Sequence, residues 1–228
     1  MMLREAIAGF LERSGQKERS VTESLQSFAL LTACFSPDLT LDEITPAGLR
    51  DFLARWYIEE ASSTSIPTPA GGAIEPEPLC DSLTEFFKWA GFRDADEHLR
   101  IIAEMRRSLP RALEISASLS QRLSERGGAF AFPEFLTSFE EGGHSSYDLD
   151  VAGEAGAIEG YFRITRVDGA MIEAEETITE ERIWPIIFPH DLALRLMNDY
   201  IINLELVRSK DGWQIGACGF TYPPGTDI

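Results

Sequence analysis

The sequence predicts an α+β protein: an N-terminal helical bundle over residues 1–127, followed over 128–228 by a small antiparallel β-barrel of OB-like or SH3-like type. Three observations predict it. Apolar residues recur every three to four positions through the first half, which is the stripe of amphipathic helices. Beyond residue 157 the pattern changes to short β-branched and aromatic runs. Two Asp-Gly pairs, Asp168-Gly169 and Asp211-Gly212, divide those runs as hairpin turns do.

The helices follow in order. Leu3, Ile7, Phe10 and Leu11 form one stripe that stops at Ser14-Gly15. Ser20 with Glu23 has capping-box spacing and opens a helix through Leu25, Phe28, Leu31 and Phe35 that Pro37 ends. Thr45-Pro46 starts the next, because a Thr cap accepts orphan N–H bonds and proline tolerates the first helical position. Leu49, Phe52, Leu53 and Trp56 share its face. Residues 61–78, rich in Ser, Thr, Gly and Pro, read as a loop. Leu79, Leu83, Phe86, Phe87 and Ala90 then form a helix closed by Gly91. Asp94 with Glu97 caps a helix through Leu109, and Pro110 starts a separate last one through Ile115, Leu119 and Leu123.

In the second half, Tyr161–Glu176 holds two strands around Asp168-Gly169, and Tyr200–Arg208 pairs with Trp213–Tyr222 around Asp211-Gly212. An extended Arg182–Phe188 and a short helix, His190–Asn198, lie between them, with Leu192, Leu196 and Met197 inward. A strand at Tyr147–Val151 would favour the SH3-like alternative.

Charge narrows the function. The chain has 20 Lys and Arg against 38 Asp and Glu, net −18. Residues 1–127 account for −6 (14 basic, 20 acidic) and residues 128–228 for −12 (6 basic, 18 acidic). Such a field repels phosphate backbones and anionic membranes, so nucleic acid is disfavoured as a partner. No apolar run is long enough to span a bilayer, no signal peptide is indicated, and three separated cysteines fit a reducing cytoplasm.

Residues from about Ser20 to Arg126 resemble the SAM-like core-binding domain of tyrosine recombinases and phage integrases. The stretches that carry the resemblance are LTLDEITPAGLRDFLARW, Leu39 to Trp56, and SLTEFFKWAGF, Ser82 to Phe92. The resemblance implies a helical fold, with the second stretch forming the helix that lies along DNA in that family. There this chain offers Asp81, Thr84 and Glu85 with only Lys88 as a base. The family's catalytic set includes an HxxR motif, and neither His98, His144 nor His190 is followed by Arg at the third position. The C-terminal half resembles no family.

Tyr161, Trp184, Trp213 and Tyr222 fall at strand ends and are candidate binding residues, an aromatic patch for another protein or a platform for bases. Base stacking also needs a basic groove, which Arg163, Arg166, Arg182, Arg195 and Arg208 supply only if they converge. Glu205, on the face opposite Ile202, Leu204 and Leu206, would pair with Arg163 or Arg166 or act as a base if buried. Among Glu140–Asp150, His144, Asp148 and Asp150 are weak metal candidates without ligand spacing, and no cofactor is expected. Lys88, Arg106, Arg107 and Arg111 form a basic cluster read as a solvated helix face. These observations point to a non-catalytic interaction protein, with a nucleic-acid accessory factor and a metal-dependent enzyme as alternatives.

Overall fold

A computed structural model describes residues 1–14, 18–62, 75–125 and 156–228. The described N-terminal part has six helices: α1 (Leu3–Ser14), α2 (Glu18–Cys34), α3 (Pro46–Asp51), α4 (Tyr57–Ser62), α5 (Pro76–Ala90) and α6 (Ala95–Glu125). Thr45 caps α3 as its sequence predicts, its hydroxyl accepting the Gly48 N–H at 3.1 Å. A wider π turn over Phe52–Trp56 joins α3 to α4.

Helix α5 starts at Pro76, three residues before the expected apolar run. Its prolines sit in the first turn, where backbone N–H groups have no helical acceptor and their loss costs nothing. The helix ends on Gly91 in the left-handed region, φ 65°.

The division expected at Pro110 is absent. Helix α6 runs through that proline for 31 residues. Ile102, Met105, Leu109, Ala112, Ile115 and Leu119 keep one buried stripe across it, and their packing outweighs the hydrogen bond that proline removes. The chain divides into two compact units between Pro110 and Arg111, so the last half of α6 groups with the strands.

The core of the first unit is aromatic. Phe10 meets Phe28, Phe86 and Trp89 with ring centroids 5.6–5.7 Å apart, and Phe52 stacks on Trp56 at 5.6 Å.

In the second unit five strands close into a ring: β1 (Ala157–Asp168), β2 (Met171–Glu176), β3 (Arg182–Ile187), β4 (Ile201–Ser209) and β5 (Gly212–Tyr222), with the short helix α7 (His190–Ala193) between β3 and β4. The order around the ring is β1-β2-β3-β5-β4. The sheet is mixed rather than antiparallel, because β3 runs parallel to β5. Directions cannot alternate all the way around a ring of five, so one neighbouring pair must be parallel. That seam is short, Ile186 opposite Trp213 and Ile187 opposite Gln214.

Both hairpins lie one residue from the expected turn. Asp168 pairs with Met171 and Ser209 with Gly212, which leaves Gly169-Ala170 and Lys210-Asp211 as the connecting residues. Positive φ falls on the glycines, 62° at Gly169 and 135° at Gly212, and not on the aspartates. A Cβ on Gly212 would lie 2.6 Å from the Pro185 carbonyl oxygen, so glycine there also permits the seam.

Phe162, Ile164, Ile172, Ala174, Ile186, Ile202, Leu204 and Leu206 fill the ring and are fully buried. The C-terminal half of α6 is tied to the same unit. Ser116 Oγ accepts the Thr221 N–H at 2.7 Å, Arg122 pairs with Asp191 at 2.5 Å, and Glu114 pairs with Arg195. Leu192 and Leu196 point inward as expected, but Met197 is 46% exposed and its sulfur accepts from Arg111 at 3.3 Å.

Candidate functional site

Two surfaces of the strand ring gather the candidate residues. The first is the outer face of β1, β2 and β3. Register places Arg163 opposite Glu175 and Glu175 opposite Arg182, a cation–anion–cation row across three strands. In the next row Arg166 is opposite Glu173, and its guanidinium lies 4.9 Å over the Trp184 ring. Trp184 is 39% exposed and Met171 38%. Arg166 also pairs with Asp168 at 2.9 Å, and Arg182 lies 3.9 Å from Glu175.

The second surface is the outer face shared by β1, β4 and β5. Here Glu159 stands directly opposite Glu205, and Tyr161 opposite Asn203. Tyr222 lies beside Tyr161, ring centroids 6.1 Å apart. The buried Asn203 amide donates to the Gly160 carbonyl at 3.3 Å. Two glycines of β5 make room for these side chains: a Cβ on Gly219 would collide with Asn203 Oδ1, and one on Gly216 would lie 3.4 Å from Glu205 Oε1.

Partial burial raises the pKa of Glu205, and partial burial followed by the Glu205 charge raises that of Glu159. Among the described residues neither carboxylate has an ion-pair partner. The pairing of Glu205 with Arg163 or Arg166 is therefore corrected. Arg163 stands opposite Ile201 on β4, and Arg166 lies over Trp184.

The four aromatic candidates divide between places. Tyr161 and Tyr222 adjoin, but Tyr222 is 1% exposed and offers no open face. Trp184 lies under Arg166, and Trp213 lies under Arg208 at 4.9 Å. Of the five arginines, Arg163, Arg166 and Arg182 share the outer face of β1, β2 and β3, and Arg195 and Arg208 lie elsewhere. Arg166, Arg182 and Arg195 each pair with an acid of their own unit, and Arg208 covers a ring. His144, Asp148 and Asp150, with the whole Glu140–Asp150 stretch, lie outside the described residues.

In the first unit, a cleft of 430 Å³ between α2 and α5 is lined by Glu23, Glu77, Asp81 and Glu85 with Ser24 and Ser82. Arg106, from the basic cluster, pairs with Asp81, and Arg107 donates to the Ala103 carbonyl of its own helix. This surface of α5 carries carboxylates where phosphate contact calls for bases.

The thiols offer no nucleophile at neutral pH. Burial pushes Cys34 up to about 11 and Cys80 and Cys218 up to about 12. Among the described residues no three potential metal ligands gather, and no helix is long and apolar enough to cross a membrane. No family model, no curated protein and no solved structure matches this chain.

Residue reading missed Glu159, because its partner is set by the β1–β4 register, between strands more than thirty residues apart in sequence. The Arg208–Trp213 pair was within reach, since the two residues flank one short turn symmetrically.

Proposed function

We propose that this chain is a cytoplasmic, non-catalytic interaction protein whose strand ring takes a basic surface of another protein. The observation that carries the reading is the pattern of charge pairing on the ring. Arg166, Arg182 and Arg195 pair with carboxylates of the same unit and Arg208 covers an indole ring, while among the described residues Glu159 and Glu205 stand opposite each other without a cation. A Lys or Arg from a partner placed between them would relieve that repulsion, and a charge-assisted contact of this kind fits a net charge of −18. The ring order, with β3 parallel to β5 and a helical turn between β3 and β4, supports the OB-like form over the SH3-like one.

The test is capture of a partner from native lysate, followed by titration of the purified pair at low and high salt. Glu159→Gln and Glu205→Gln should each weaken binding about fivefold or more at low salt. No reproducible partner, or one bound equally by both variants, would sink the reading.

A nucleic-acid accessory role is the second reading. It is favoured by the exposed Trp184 beneath Arg166 and by the recombinase-like pattern of residues 20–126. Fluorescence anisotropy with single- and double-stranded DNA at low salt discriminates the two. Binding that falls steeply with added salt supports the second reading, and an unchanged signal at micromolar protein removes it.

A further inference from the structure

Asn203 brings a third acceptor to the Glu159–Glu205 pair. It lies two residues from Glu205 on β4 and shares its outer face, because Ile202, Leu204 and Leu206 turn into the ring. The residue is 2% exposed. Its Nδ2 donates to the Gly160 carbonyl at 3.3 Å, and since only the nitrogen can serve a carbonyl oxygen, that bond fixes which way the amide points. Oδ1 is thereby turned over β5, into the space that a Cβ on Gly219 would fill. Among the described residues it accepts no hydrogen bond.

Glu205 leans the same way. Its Oε1 lies 3.4 Å from where a Cβ on Gly216 would stand, so the amide and carboxylate oxygens both project over positions of β5 that glycine leaves bare. Glu159 stands opposite Glu205 on β1. A buried carbonyl oxygen whose own amide is tied down cannot turn to find a donor, and an unmet acceptor costs free energy. The donor that suits it must also suit the carboxylates beside it.

A protein partner has two cations to offer. The lysine ammonium is a compact, strongly hydrated charge that carboxylates satisfy by themselves, and it gains little from a neutral amide oxygen alongside. The arginine guanidinium is planar, more weakly hydrated, and holds its N–H donors in a rigid fork. Residues two apart on a strand have Cα atoms about 6.6 Å apart. N–H groups on opposite edges of one guanidinium are placed to bridge such a separation, and a single ammonium nitrogen serves it less well. Resting on the basic partner proposed above, we infer that the side chain it places here is an arginine, its guanidinium bridging Asn203 Oδ1 and the Glu205 carboxylate with Glu159 alongside.

The test is an NMR titration of the isotope-labelled full chain at low salt and about pH 7 with two blocked tripeptides, acetyl-Gly-Arg-Gly-amide and acetyl-Gly-Lys-Gly-amide. The signals read are the Asn203 side-chain amide and the carboxyl carbons of Glu159 and Glu205, assigned with Asn203→Ala, Glu159→Gln and Glu205→Gln. The arginine peptide should move all three and bind at least about fivefold more tightly than the lysine peptide, the worth of one further hydrogen bond. Asn203→Ala should erase that preference and bind the lysine peptide as the wild type does. Equal binding of the two peptides, or an arginine peptide that moves the carboxyls and leaves the Asn203 amide unmoved, would overturn the inference while leaving a basic partner standing. If neither peptide moves Glu159 or Glu205, both proposals fall. Should Asn203→Ala not fold, the wild-type comparison decides by itself.

Discussion

Glu159 and Glu205 illustrate how much rests on a single register position. Like charges directly opposite on an antiparallel pair repel, and partial burial weakens the solvent screening that would make the repulsion harmless. Each carboxyl binds its proton more tightly in the fold than in the unfolded chain. Stability is therefore gained as pH falls through the raised folded values, and the charged pair costs stability above them. At about pH 7, Glu205→Gln should be more stable than the wild type by about 0.2–1 kcal/mol, an advantage that shrinks towards about pH 5. Urea midpoints at the two pH values measure it, and a variant no more stable at neutral pH would show that the pair does not repel. The sequence places Glu205 on the correct face of its strand. It could not supply the residue opposite, because alternation along one strand says nothing about which residue of a distant strand lies beside it.

Helix α6 shows the same limit for an element. Its apolar stripe was legible on both sides of Pro110, yet proline reads locally as a boundary, and only the continuity of the buried face shows that the helix passes through. Met197 failed for a related reason. The helix expected over His190–Asn198 ends at Ala193, so Met197 lies beyond it and helical spacing does not set its side. Ser116 would pass unnoticed in any sequence reading, but its hydroxyl is the acceptor for the buried Thr221 N–H. Ser116→Ala leaves that donor without its partner, and should destabilise the protein by about 1–3 kcal/mol in urea unfolding. Ser118→Ala, on the same helix, should stay within about 0.5 kcal/mol.

For the whole molecule, helices followed by strands was legible because the two periods, 3.6 and 2, are properties of the chain itself. The closure of the ring was not, since no local pattern encodes which strand neighbours β3. The contact division inside α6 has a consequence for how the chain can be cut. A fragment of residues 111–228 keeps Ile115, Ser116, Leu119 and the Arg122–Asp191 pair with the strands, whereas residues 128–228 lose them all. The longer fragment should unfold cooperatively in urea with native-like circular dichroism. The shorter should lose its cooperative transition and bind a hydrophobic dye, and equal behaviour would show that α6 contributes nothing to the second unit.

The parallel seam has a further consequence, in time rather than in energy. Each hairpin closes across two residues, a microsecond-scale event, while Ile186 must find Trp213 across α7 and the whole of β4. The seam is thus the ring's most non-local closure among the strands that follow β2, and it is held by the fewest pairs. A ring built from an odd number of strands carries at least one parallel pair, and here that pair joins the strands that hold the two tryptophans, Trp184 and Trp213.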